Sequence, residues 1–353
     1  MLLALHASGQ VRRHHWGDRV QAHVLSNVQN GACPEDCGYC GQSRDSAAPI
    51  EPYKLKSKEE VIAEAAHAKD NGAFRYCMVL SGRGPDDSDI EHMASCIREV
   101  KQRFGLQTCL SAGLLDEAKA TRLKDAGLDR LNHNLNTSSR WYPHICSTHT
   151  YDDRVSTLAA AKQAGLDVCS GMIVGMGETF DDVLDVACAL REASAASIPV
   201  NFLLPIPGNR VRSPMCEGMP LTPEFCLRAL CAVRLLNPSA EVRAAAGREA
   251  HLRTLQPLAL EPANSLFLDG YLLTKGSSAH DTLRMIYDAG FTIDLPGGAP
   301  EALRVFIASL QVGDSATPAA NLEILREERL SQRKVAKLHV SAKASAGARQ
   351  DAP

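Results

Sequence analysis

Gly31-Ala32-Cys33-Pro34-Glu35-Asp36-Cys37-Gly38-Tyr39-Cys40 places three cysteines within eight residues, spaced by three residues and then by two. Thiolates are soft ligands that suit iron–sulfur clusters and zinc. An all-cysteine zinc site or an ordinary [4Fe–4S] site takes four protein ligands. The next cysteine here is Cys77, far along the chain. Three clustered ligands without a local fourth point to a [4Fe–4S] cluster with one iron left open, and an open iron can bind a small molecule directly. The competing reading of the spacing is a structural zinc knuckle.

The cysteines follow directly on His23–Val28, which reads as a strand. Further short runs of this kind lie at Phe74–Leu80, Leu106–Ala112, Asp129–Asn136, Leu166–Val174, Ile198–Leu204, Glu241–Ala246 and Asn264–Leu268. Helical spacing fills the intervals at Ser57–Asn71, Ser88–Phe104, Asp116–Asp125, Asp152–Ala164, Phe180–Ala195, Thr222–Leu236, Arg248–Leu258 and His280–Asp288. Ser57 with Glu60 makes a capping box, and Gly72, Gly127, Gly165 and Gly290 stand where left-handed helix caps are expected. Eight β-then-α units predict an α/β fold, a (β/α)8 TIM-type barrel, although a doubly wound sheet shares the rhythm. Barrel chemistry sits on loops after the strands, where the cysteines fall. The expected division is a short lead-in over 1–18, one barrel over 19–314 and a flexible tail over 315–353. In the tail, Asn321–Lys337 keeps helical spacing and Ser341–Pro353 is Ala/Ser/Lys-rich and expected to be disordered.

The chain has 353 residues, 45% hydrophobic and 22% charged, an ordinary globular composition. A net charge of -3 gives no nucleic-acid footprint. Met1–Leu5 is too short for a signal-peptide core or a membrane span. Twelve cysteines in a long chain, three of them in a metal-type cluster, read as reduced thiols in a cytoplasmic protein rather than as disulfides. The basic run Arg12-Arg13-His14-His15 is expected to be solvated.

Four residues fall near the middle of expected strands: Cys77, Cys109, Cys169 and Arg243. A buried cysteine can simply be a small hydrophobe. A buried guanidinium is costly without an anion, and three thiolates around a metal centre would supply one. Asn132, Asn134 and Asn136 alternate along another strand, so they share a face, with His133 and Leu135 opposite. Three amides on one face need polar partners or an exposed edge; His133 reads as a satisfied packing residue.

The string Cys33-Pro34-Glu35-Asp36-Cys37-Gly38-Tyr39-Cys40-Gly41-Gln42-Ser43 resembles the radical S-adenosylmethionine (SAM) superfamily, and within it the biotin synthase family. The likeness runs from about Arg19 to Ile293. It implies that Cys33, Cys37 and Cys40 hold a [4Fe–4S] cluster whose open iron chelates SAM, and that reduction splits SAM into methionine and a 5'-deoxyadenosyl radical. It also implies that Cys77, Cys109, Cys169 and Arg243 ligate an inner [2Fe–2S] cluster, the immediate sulfur donor. The matching stretches are Tyr76-Cys77-Met78, Thr108-Cys109-Leu110, Val168-Cys169-Ser170-Gly171 and Val242-Arg243 ahead of Ala246-Gly247-Arg248-Glu249. By the same resemblance, SAM would be held by Tyr39, Asn134, Asn136, Arg154 and Ile173, and the substrate by Asn132, Asn134, Asn201 and Thr274. Arg154 would clamp the SAM carboxylate, and from sequence alone it reads equally as a solvated helix arginine. Cys96, Cys146, Cys188, Cys216, Cys226 and Cys231 match no family motif and are expected to be packing or surface thiols.

The implied activity is sulfur insertion between C6 and C9 of dethiobiotin to give biotin, the last step of biotin biosynthesis. Unactivated C–H bonds demand hydrogen-atom abstraction, a step that the cofactor carries. The resemblance implies a homodimer and an electron donor such as flavodoxin. Two other readings are a related radical SAM enzyme acting on another small substrate and a non-catalytic zinc-binding scaffold.

Overall fold

Eight runs of apolar and β-branched residues pair in parallel and close on themselves. The computed structural model describes residues 1–268, 276–295 and 305–306. Its strands are β1 (Arg19–Asn27), β2 (Arg75–Val79), β3 (Gln107–Ser111), β4 (Arg130–Asn132), β5 (Asp167–Cys169), β6 (Met172–Val174), β7 (Ser197–Phe202), a hairpin of β8 (Met215–Cys216) and β9 (Met219–Pro220), β10 (Glu241–Ala244), β11 (Ser265–Phe267) and β12 (Thr292–Ile293). The helices are α1 (Leu2–Trp16), α2 (Lys58–Asp70), α3 (Asp87–Phe104), α4 (Glu117–Asp125), α5 (Tyr142–Ile145), α6 (Tyr151–Gln163), α7 (Phe180–Glu192), α8 (Pro223–Leu236), α9 (Arg248–Leu252) and α10 (Ala279–Asp288). β1 pairs with β2 on one side and β11 on the other, and β10 pairs with both β11 and β7. The ring is therefore closed, with β5 and β6 acting as two halves of one position beside β7. Closure excludes the doubly wound alternative.

Local chemistry explains the helix starts. Ser57, Asp86, Thr150 and Thr179 each cap a helix, with reciprocal bonds to Glu60, Asp89, Asp153 and Asp182. Such boxes satisfy two orphan N–H groups at each entry. The helices bury Val61, Ile90, Ile97, Val183 and Leu230 against the outward face of the strands, where Tyr76, Met78 and Leu110 are fully buried.

Several elements depart from expectation. β4 ends at Asn132 instead of continuing to Asn136, and Asn136 has φ 70°. The reason is a substitution of partners: Gly171 N–H donates to the Asn134 side-chain oxygen at 3.0 Å instead of to a strand carbonyl. The expected strand Leu166–Val174 breaks at Ser170-Gly171. A Cβ on Gly171 would lie 1.9 Å from the Pro199 carbonyl oxygen, so only glycine permits this approach. The expected helix Arg248–Leu258 ends at Leu252, and a 3₁₀ turn follows over Arg253–Leu260. Arg253 has φ 53°, and Pro257 brings no N–H. The expected tail and Thr274 lie outside the described residues.

The lead-in carries a helix that the sequence reading left unassigned. α1 buries Leu5, Ser8, Gly9 and Arg12, and it packs on α8, with Ser8 Oγ 3.3 Å from Cys231 Sγ. Arg12, expected in solvent, is 0% exposed. It donates to the carbonyls of Gly17 and Arg19 and lies 4.5 Å over the Phe291 ring. Arg12→Ala strands two carbonyls and removes that ring contact. The expected result is a loss of about 2 kcal/mol in the metal-free chain, read as a lower denaturant midpoint at unchanged slope.

Candidate active site

The carboxy ends of the strands surround a cavity of about 280 Å³. Cys33, Cys37 and Cys40 line it, carried by the long loop after β1. Two carboxylates inside that loop fasten it to residues 145–149. Asp36 accepts from Ser147 N at 2.9 Å and from the Ser147 hydroxyl, while Glu35 accepts from Thr148 and His149 and pairs with Arg83 at 3.2 Å. Burial opposes both charges. The donated hydrogen bonds win and hold Glu35 and Asp36 below their ordinary range. On the other side Asn209 donates to Tyr39 O at 2.8 Å, and Val211 N–H donates to Gly38 O at 2.9 Å. The loop is thus held from both flanks by bonds that spare its sulfurs.

The residues predicted to contact SAM and substrate come together on the wall. Tyr39, Asn132, Asn134, Asn136, Arg154, Ile173 and Asn201 all line the cavity. Asn136 donates to the Tyr39 hydroxyl at 2.6 Å. Arg154 is buried rather than solvated, bonded to the Asn134 carbonyl at 2.9 Å, to Tyr142 and to His149 Nε2 at 2.7 Å. Asn201 donates to Met172 O at 2.9 Å and accepts from Ala246 N at 3.1 Å, so both ends of its amide are already used to join two strand ends. His133 is not the satisfied packing residue expected. It also lines the cavity, and its buried Nε2 has no hydrogen-bond partner among the described residues.

A second tier of thiols lies among the strands. Cys77, Cys109 and Cys169 form one buried cluster with Ala245 and Phe267. Cys77 stands beside Cys109 in register, and Asn132 beside Cys169. Arg243 enters from β10, 5.0 Å over the Phe267 ring, with its buried Nε unpartnered among the described residues. Its other end is neutralised by a residue that sequence reasoning missed. Glu241, 0% exposed, accepts from Arg243, from Arg130 and from Ser265 Oγ at 2.8 Å. His23 Nε2 approaches Glu241 at 3.2 Å, off the line of a hydrogen bond, while its Nδ1 stands 3.9 Å from Cys77 Sγ. Burial opposes the charges on Glu241 and Arg243, and each partner overrides that for the other. Burial and Arg243 together keep His23 neutral. The visible signal was spacing: Glu241 and Arg243 are two apart on one strand and share a face.

The donor sets fit two iron–sulfur groups. The cavity wall presents three sulfurs, and all twelve cysteines are free. Three soft thiols beside an unpartnered guanidinium edge suit a second group in the inner tier. Of the six thiols expected to be packing or surface, Cys96, Cys216, Cys226 and Cys231 are buried and Cys188 is half-buried. Cys146 is more than packing. It lies 3.7 Å from Cys37 Sγ, 3.1 Å from Asp36 Oδ1 and 3.4 Å from His149 Nδ1.

A closed barrel with three clustered thiols at its mouth is the architecture of a radical SAM protein, and the family description Radical SAM superfamily matches residues 29–188. The description Biotin and Thiamin Synthesis associated domain matches residues 199–292. The chain is 55% identical over 293 residues to a biotin synthase of Acaryochloris marina, covering 83% of this chain and 84% of that one. It is 45% identical over 295 residues to a biotin synthase of Bacillus subtilis, covering 83% and 87%. Methylornithine synthase superposes with a TM-score of 0.70 at 20% identity, covering 83% of this chain and 88% of that chain. The FeFe-hydrogenase maturase of Carboxydothermus hydrogenoformans gives 0.71 at 16%, covering 84% and 73%. These two share the fold. The chain belongs to the biotin synthase family.

Glu241→Gln removes the carboxylate that Arg243 and Arg130 share, leaving Arg130 only the exposed Asp167 at 3.8 Å. The expected cost is about 3 kcal/mol at neutral pH. Because the Glu241 carboxyl is held well below its unfolded value of about 4.3, its contribution is full above that pH and fades as the pH falls further. Acid titration of stability should therefore lose one step in E241Q.

Proposed function

We propose that this chain inserts sulfur into dethiobiotin at the cavity that its outer thiols line, with Cys33, Cys37 and Cys40 holding a [4Fe–4S] cluster and Cys77, Cys109, Cys169 and Arg243 holding a [2Fe–2S] cluster. The observation that carries the reading is the asparagine row that joins the tiers. Asn132 Nδ2 lies 3.3 Å from Cys169 Sγ in the inner tier, Asn134 accepts from Asn132 at 3.2 Å, and Asn136 donates to Tyr39 in the outer loop. A ligand on that row would lie against the outer loop and be separated from the inner thiols only by Asn132.

When bound, the outer cluster with SAM supplies a carbon radical able to take unactivated hydrogen atoms, and the inner cluster supplies sulfide. The side chains position and exclude. Arg154 offers a cation suited to the SAM carboxylate, because its fork matches two carboxylate oxygens. Asn136 and Tyr39 face the ribose, and Ile173 gives the adenine an apolar face. Asn132 and Asn134 offer amide donors and acceptors to the ureido ring. Asn201 keeps the strand ends together beneath it. Thr274 is assigned to the substrate carboxylate by its match to the family alone. Holding reactants in a closed wall supplies the orientation that such a step needs.

A homodimer and a flavodoxin-type donor are further proposals that rest on the family. A cytoplasmic location is supported by twelve free cysteines. Among the described residues no helix is long and apolar enough to cross a membrane.

Single substitutions separate the tiers. Cys33→Ala should reduce 5'-deoxyadenosine formation from SAM to background. Cys169→Ala should keep part of that cleavage and make no biotin, both products being read by mass spectrometry. Biotin formed at the wild-type rate by C169A would refute the inner assignment.

A further inference from the structure

Cys146 has no part in the reaction described above, yet it touches the cluster loop. Its sulfur is 3.7 Å from Cys37 Sγ, and both thiols are buried and free. The two segments are held on either side of the sulfurs: Gly38 N–H donates to the Ile145 carbonyl at 2.8 Å, and Ser147 N–H donates to the Asp36 side-chain oxygen Oδ1 at 2.9 Å. The sulfurs must close from 3.7 Å to about 2.05 Å to bond, and these contacts keep the two cysteines facing each other while they do so. Cys37 lines the cavity and Cys146 does not, so Cys146 stands behind the ligand loop. His149 completes a trio of metal-type ligand atoms within 4.8 Å of one another. The Arg154 guanidinium, 2.7 Å from the other nitrogen of that imidazole, sets a fixed positive charge beside the trio. With Glu35 on its Nδ1 and Arg154 on its Nε2, both nitrogens of the His149 imidazole are already engaged, which leaves the two sulfurs to react with each other.

We propose that Cys37 and Cys146 form a reversible disulfide in the cluster-free chain, and that this bond withholds Cys37 from cluster assembly until a dithiol reduces it. The withholding rests on Cys37 being a cluster ligand; the bond itself does not. The two thiols lose two electrons and two protons as the S–S bond forms, and hydrogen peroxide takes them as its O–O bond breaks to give two waters. A dithiol reverses the change by becoming a cyclic disulfide. A sulfur held in the bond is kept from the irreversible steps of thiol oxidation.

The test uses the full chain, stripped of iron anaerobically, treated with an equimolar amount of hydrogen peroxide, alkylated and cut with trypsin. The expected product joins the peptide Val20–Arg44 to Trp141–Arg154, with fragmentation placing the bond at Cys37. Uptake should fall in this oxidised chain to the iron and sulfide of the inner tier, and dithiothreitol should restore the share held by the outer loop. In Cys146→Ser the linked peptides should be missing, while the reduced variant still takes up iron and sulfide. Absence of the linked peptides from wild type, or Cys37 found paired with Cys33 or Cys40, overturns the proposal. If the linked peptides form but the reduced wild-type chain takes up no iron or sulfide, the withholding falls together with the cluster assignment, and the bond alone stands.

Discussion

A guanidinium cannot be left alone inside a closed barrel. Arg243 sits among three thiols and an aromatic ring, and Arg130 is close by. Both are tolerable because Glu241 lies between them, fully buried, accepting from each. A buried pair of this kind adds little net stability and is expensive to break. Its value here is positional. Glu241 occupies one edge of Arg243, so the remaining Nε edge has no partner among the described residues. The inner tier therefore keeps one nitrogen donor beside three sulfurs, in a place where ordinary packing would have chosen an aliphatic side chain.

The upper half of the barrel obeys the same rule of satisfied polarity. Glu35 and Asp36, which flank the middle of the cysteine loop, are matched by donors from Ser147, Thr148 and His149, so the loop is fixed by oxygen contacts that do not use its sulfurs. The asparagines after β4 end that strand early, because an amide oxygen replaces a ladder carbonyl. What looks like a defect in the sheet turns three amides toward the cavity and places them between the two tiers. Arg154 and Tyr39 close the outer side of that wall.

Much of this was legible in the sequence. The repeating β-then-α rhythm gave the strands to within a few residues. The spacing of Cys33, Cys37 and Cys40 led directly to the outer loop. Buried cysteines on three strands were visible as an inner set once Arg243 demanded an anion. Other features were hidden for physical reasons. α1 buries Leu5, Ser8, Gly9 and Arg12 at helical spacing, but three of those four are not apolar, so the pattern carries no hydrophobic signature. Arg12 looked solvated because its partners are backbone carbonyls that no side-chain pattern announces. Asn136 lies outside the strand because a left-handed residue breaks the alternation. Cys146 meets Cys37 only through a tertiary contact, and a lone cysteine gives no spacing to read.

Two thiol tiers acting on one substrate are the centre of this chemistry. The most direct measurement is anaerobic incubation of the reconstituted chain with SAM, a reductant and dethiobiotin, with products identified by mass spectrometry. The account predicts biotin together with 5'-deoxyadenosine. Neither product, from protein shown to carry iron and sulfide, would contradict it.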